Sequence, residues 1–156
     1  MATSSTAIST LSKLTLTDAR KLQQVPQVVQ RRNKLALRVW QQMELAKAQA
    51  LGGEYRIMKY RSYTDTVTGT RRQVEAHVMV KPWWFTTAAG KLAVSVRYGN
   101  RVLELAKGKY AVEVAHSNDL TATLDAIRAA VLAGELDVAI DSAATKLRAG
   151  FARGIR

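Results

Sequence analysis

Lysines and arginines interleaved with tyrosine and tryptophan are the residues of this chain whose types and spacing support a chemistry. Arg56, Lys59, Tyr60 and Arg61 fall within the single run YRIMKYRSYT, and Arg71, Trp84, Arg97, Tyr98 and Arg101 follow downstream. A cation that meets a phosphate releases condensed counterions, and a ring stacked on an unpaired base adds roughly 1–3 kcal/mol per base. Upstream, Arg31, Arg32, Lys34 and Arg38 crowd one half of a helical stretch, where they face either solvent or the groove of a duplex. These residues form the candidate nucleic-acid-binding set.

Other chemistries lack their residues. The chain has no cysteine, which excludes disulfides, thiolate zinc sites and cysteine nucleophiles together. His77 and His116 are the two histidines, and neither has a carboxylate or the other histidine at ligand spacing, so they are expected on the surface and not on a metal. Lys107-Gly108-Lys109 lacks the spacing and the following Ser or Thr of a phosphate-binding P-loop, and reads as a turn with two solvated lysines. No Gly-x-Ser-x-Gly is present, and Glu54, Asp65, Glu75, Glu104 and Glu113 show no acid/base pair. The expectation is a protein that is not an enzyme and uses no cofactor and no metal.

Charge sharpens this reading. The chain holds 24 Lys and Arg against 12 Asp and Glu, for a formal charge of +12, and all of that excess falls within residues 1–116; residues 117–156 carry five of each sign. A neutral C-terminal layer against a cationic remainder implies one charged side, as a polyanion requires. With 47% hydrophobic residues the chain has enough apolar material for a core. Neither a signal peptide nor a run long enough to span a membrane is evident, so the cytoplasm is the expected compartment.

The elements that must position these residues follow from periodicity. Residues 1–16 read as a flexible arm. A basic helical segment occupies 17–53, with a short helix capped by Thr17 and a longer one from 27 to 51, where Val28, Leu35, Val39, Met43, Ala46 and Ala50 form an apolar stripe that Gly52-Gly53 ends. A sheet-plus-helix core spans 54–134, with strands at about 55–64, 70–80, 91–98, 101–106 and 110–115. The alternation sends Val74, Ala76, Val78 and Val80 inward, and likewise Leu92, Val94 and Val96. Ser117 or Asn118 caps a helix with Leu120, Leu124, Ile127 and Val131 on one side, stopped by Gly134; a last helix and basic tail fill 135–156. The class is α+β: an N-terminal helix, a curved antiparallel sheet of four to five strands, and two C-terminal helices on one sheet face.

Within KPWWF, residues 81–85, adjacent rings must point to opposite sides, one Trp entering the core and the other facing outward. Together with VSVRYGNRVLELAKGKYAVEV and DLTATLDAIRAAV, this element resembles small uncharacterised proteins of phages and proteobacteria, a likeness that spans roughly residues 30–140 and implies no activity. The same sheet-then-helix order is similar in architecture to single-stranded DNA-binding modules of the positive-cofactor-4 type, and implies a dimer. The long N-terminal helix and second C-terminal helix depart from that pattern, and fold alone does not establish function.

The combined expectation is a homodimeric, non-enzymatic protein that binds single-stranded DNA with little sequence preference. A phage interaction protein using the same face on an acidic protein partner is the alternative.

Overall fold

The computed structural model describes residues 10–21 and 23–154. The longer N-terminal helix, α1, spans Gln27–Ala50. It opens directly after Pro26, whose fixed φ and missing N–H suit a helix start, and it ends before Gly52, which adopts a φ of +73°. Leu35, Val39, Met43 and Ala46 are buried as the stripe predicts, whereas Val28 and Ala50 at the two ends are exposed. The expected helix at Thr17 does not form. Thr17 Oγ1 instead accepts a hydrogen bond from the Ala19 N–H at 3.2 Å, a local turn of the kind that competes with helix formation. A 3-10 turn at Thr10–Lys13 lies inside the segment read as an arm, whose first nine residues lie outside the described ones.

Strands β1, Arg56–Thr64, and β2, Arg71–Met79, form an antiparallel hairpin in register from Arg56↔Met79 to Thr64↔Arg71. Asp65 closes its tip: one carboxylate oxygen accepts the Val67 and Thr68 N–H groups, which holds this carboxyl below the ordinary carboxylate range. Strands β3 (Trp84–Thr86), β4 (Leu92–Val94), β5 (Arg97–Tyr98), β6 (Arg101–Val102) and β7 (Val112–Val114) are short. They pair as β3-β4-β7 and as β5-β6, the latter joined through the expected Gly99-Asn100 turn.

The class is α+β with antiparallel strands, as composition and pattern indicated. The strands divide among three small sheets, however, where one continuous curved sheet was expected. Two physical reasons are visible. Residues 93–96 are buried at every position, so both sides of the chain are covered there and β4 stops after three residues; the Ser95 N–H turns to the Trp83 carbonyl at 3.1 Å. The β1–β2 hairpin brings little apolar surface to the helices. Val74 is 45% exposed, and Ala76, Val78 and Val80 are only half-buried, so the inward parity assigned to β2 describes the base of the hairpin and fails along its length.

The core forms where α1 packs on α2, Leu120–Ala133, and α3, Asp137–Arg153, packs on α1 and on β5–β6. Leu120, Leu124, Ile127 and Val131 are all buried, and Gly134 ends α2 at a φ of +87°. A 3-10 turn at Ser117–Asp119 leads into α2, and the side-chain cap expected from Ser117 or Asn118 is not made. Val94, Val96, Tyr98, Leu103 and Val114 complete the core from the short strands. Among the described residues no helix is long and apolar enough to cross a membrane.

Among the described residues the buried polar side chains are Gln42 and Ser95, and Gln42 is the larger and the more deeply covered. Gln42 is 2% exposed; its Nε2 donates to the Lys81 carbonyl at 3.0 Å and its Oε1 accepts the Trp83 N–H at 2.9 Å. The amide therefore pairs with the chain as a neighbouring strand would, and fixes the KPWWF element to α1.

Candidate nucleic-acid interface

Directly opposed residues of an antiparallel pair project to the same side, so the register sorts the hairpin's charges into two faces. Lys59, Arg61 and Tyr63 of β1 share one face with Arg72 and Val74 of β2, and that face has no carboxylate on either strand. Arg56, Tyr60 and Arg71 lie on the other face with Glu75, to which the Tyr60 hydroxyl donates at 3.4 Å. Arg56 pairs with Glu54 at 3.0 Å, and Arg72 makes a loose 3.9 Å contact with Asp65, leaving its side chain 71% exposed. The cations of both strands and the tyrosines of β1 are exposed, so beyond its base the hairpin is an arm with two solvent-facing sides. Nine-residue strands make it about 30 Å long.

The remaining candidates divide. Arg31 binds Asp141 at 2.7 Å, and Arg32 makes a two-pronged contact with Asp137, its Nε–Oδ1 distance being 2.8 Å. Both arginines thus tie α1 to α3. Arg38 is exposed, with Nη1 donating to Gln41 Oε1 at 3.2 Å. Arg97 and Arg101 are exposed on β5–β6, in a different sheet from the arm. Tyr98 is 8% exposed and belongs to the core, with the Lys34 ammonium 5.2 Å from its ring centroid, so it offers no open ring face for stacking. Trp84 and Trp83 are both half-buried against the core, and the outward ring of KPWWF is Phe85, 46% exposed. The expected division of one Trp inward and one outward is replaced by two inward-leaning indoles and an outward phenylalanine, because Gln42 holds the backbone of both Lys81 and Trp83.

The Arg32–Asp137 contact also sets a pH dependence. The Arg32 hydrogen bond holds the Asp137 carboxyl below the ordinary carboxylate range, and Asp137 in turn raises the Arg32 guanidinium. A carboxyl depressed in the folded state contributes stability above its unfolded pKa and loses it as pH falls through the folded value. Asp137→Asn is therefore expected to flatten the acid limb of a midpoint-against-pH curve below about pH 4. An unchanged acid limb would remove this contact from the account of stability.

Three candidates are brought together by the fold. Arg31, Lys34 and Tyr98 line a pocket of about 310 Å³ between α1 and α3, with Gln27, Gln30 and Arg148. Arg148 was missed by sequence, because the C-terminal segment is neutral when counted; no local signal marks it until Asp137 and Asp141 are seen to be engaged by α1. A larger cleft of about 750 Å³ beside β6 and α3 mixes Arg101, Lys107 and Lys146 with Glu104 and Glu135. Among the described residues no group of three or more His, Asp or Glu is placed to hold a metal ion.

Residues 6–140, most of the chain, match a protein-family model. No curated protein and no solved structure matches the chain.

Proposed function

For a chain that belongs to the family of unknown function DUF6641, whose model covers residues 6–140, we propose a non-enzymatic role in binding single-stranded DNA with little sequence preference, through the β1–β2 arm. The observation that carries this reading is the arm face on which Lys59, Arg61 and the exposed Tyr63 follow one another along β1 with Arg72 opposite Tyr63, no carboxylate lying on either strand of that face and Asp65 at the tip making only a loose 3.9 Å contact with Arg72. Phosphates satisfy the cations and a base satisfies the ring. Because the cations contact backbone and not base edges, sequence preference is low.

Gel shifts with single-stranded DNA, duplex DNA and RNA at two salt concentrations test the proposal. Single-stranded DNA is expected to bind, equally for unrelated sequences, with log affinity falling linearly in log salt. Preference for duplex would place the arm in a groove, which accommodates a two-stranded ribbon. No shift with any probe at low salt would end the nucleic-acid reading.

A second reading is favoured by the opposite face of the arm, where Met58, Tyr60 and Met79 are exposed, with Arg56 beside Met79 at the base, Arg71 at the tip and Glu75 as the one carboxylate of its strands. That mixture of apolar anchors and cations suits an acidic protein partner, the use expected of a phage-encoded interaction protein. Pull-down with nuclease treatment separates the two, since only a protein partner survives digestion. The dimer belongs to the proposal as well: Leu37 and Trp40 are exposed about one turn apart on α1 and offer it an apolar contact.

A further inference from the structure

We infer that the pocket between α1 and α3 is a discrete phosphate-binding site, separate from the arm. Arg31 and Lys34 reach it from α1 and Arg148 from α3, so three cations converge on a space of about 310 Å³ whose walls contain no carboxylate. Only Arg31 has an acidic partner: Asp141 engages its Nη1 at 2.7 Å, and that carboxylate is not among the pocket residues. Lys34 and Arg148 form no salt bridge among the described residues. Lys34 and Arg148 thus stand at one concavity without a carboxylate to pair with, and an anion seated there supplies that partner.

The shape fits the same ligand. Tyr98 lies at the pocket, buried, and its ring holds the Lys34 ammonium at 5.2 Å, which positions one cation without neutralising it. The side chain of Arg31 is 14% exposed and fixed by its Asp141 contact, so its guanidinium is preorganised and its donors beyond Nη1 remain for a ligand. The volume admits a phosphate group with its substituent. By contrast, the larger cleft beside β6 offsets its cations with Glu104 and Glu135.

Free phosphate and a nucleic-acid phosphate share this chemistry, and calorimetric titration in low-chloride buffer separates them. Inorganic phosphate is expected to bind the full chain, and Lys34→Ala/Arg148→Ala is expected to weaken it at least tenfold while keeping the circular dichroism spectrum of the unsubstituted chain in phosphate-free buffer. Competition by a 5′-phosphorylated dinucleotide, and not by its unphosphorylated counterpart, would support a strand end as the source; competition by neither would support free phosphate. The arm variant Lys59→Ala/Arg61→Ala/Arg72→Ala is expected to keep phosphate binding, so loss of the DNA reading and loss of this site are distinguishable. Absence of phosphate binding by the unsubstituted chain, or equal affinity in the Lys34/Arg148 variant, would overturn the inference.

Discussion

Replacing Lys59, Arg61 and Arg72 together by alanine is expected to weaken single-stranded DNA binding by roughly 100-fold near 50 mM salt, taking about 1 kcal/mol for each exposed cation-to-phosphate contact. The slope of log affinity against log salt should fall by about 2, since each phosphate contact on a single strand contributes about 0.7. The three side chains are exposed on one face of the arm and support none of the buried core, so the thermal midpoint should not move. Slope and midpoint together make the result specific. Fluorescence anisotropy across a salt series measures the first, and differential scanning calorimetry the second. An unchanged salt slope would show that the arm is not where phosphates bind, whatever happens to affinity. Arg31→Ala/Arg32→Ala is the opposite case: these cations join α1 to Asp141 and Asp137 of α3, so their removal is expected to lower the midpoint.

The largest effect on stability is expected at Gln42. Gln42→Leu keeps most of the side-chain volume but leaves the Lys81 carbonyl and the Trp83 N–H without the partner each has now. A backbone group left unsatisfied costs about 1–3 kcal/mol when fully buried, and these two are partly open to solvent, so a loss of about 2 kcal/mol is expected in chemical denaturation. Nearby Trp83 and Trp84 give a local readout, because both are packed against the core at the segment that Gln42 holds. Their emission should shift red before global unfolding. A variant with the original denaturation midpoint and unchanged emission would show that the two hydrogen bonds are replaced at no cost.

These two residue groups also show how far the sequence is readable. Lys59 and Arg61 were accessible to sequence reading as members of a basic, tyrosine-rich run, but cations and tyrosines stand at both parities of YRIMKYRSYT, so alternation alone did not say which of them share a face. The Asp65-to-Gly69 turn sets the register, and the register decides which cations share a face. Arg72 was not among the candidates, although the same register places it opposite Tyr63. The helices were readable for a similar reason: Leu120, Leu124, Ile127 and Val131 repeat at helical spacing, and Gly134 supplies the left-handed residue that ends α2.

Gln42 gives no such signal. In WQQMELAK it is one of two adjacent glutamines, and only the approach of a segment about forty residues away makes it a core residue. Tyr98 looked like a base platform because it neighbours Arg97 and Arg101, yet α1 and α3 cover it. Arg31 and Arg32 looked free because their acids are over a hundred residues distant.

By itself, then, the sequence determined the α+β class, the limits of α1 and α2 and the β1–β2 hairpin, all of which rest on local periodicity, turn residues and composition. Tertiary structure alone decided which cations are spent on internal ion pairs, which rings are covered, and that the strands divide among three sheets. Those outcomes depend on contacts between distant segments, and no local pattern encodes which distant group will arrive to satisfy a charge, an amide or an apolar face.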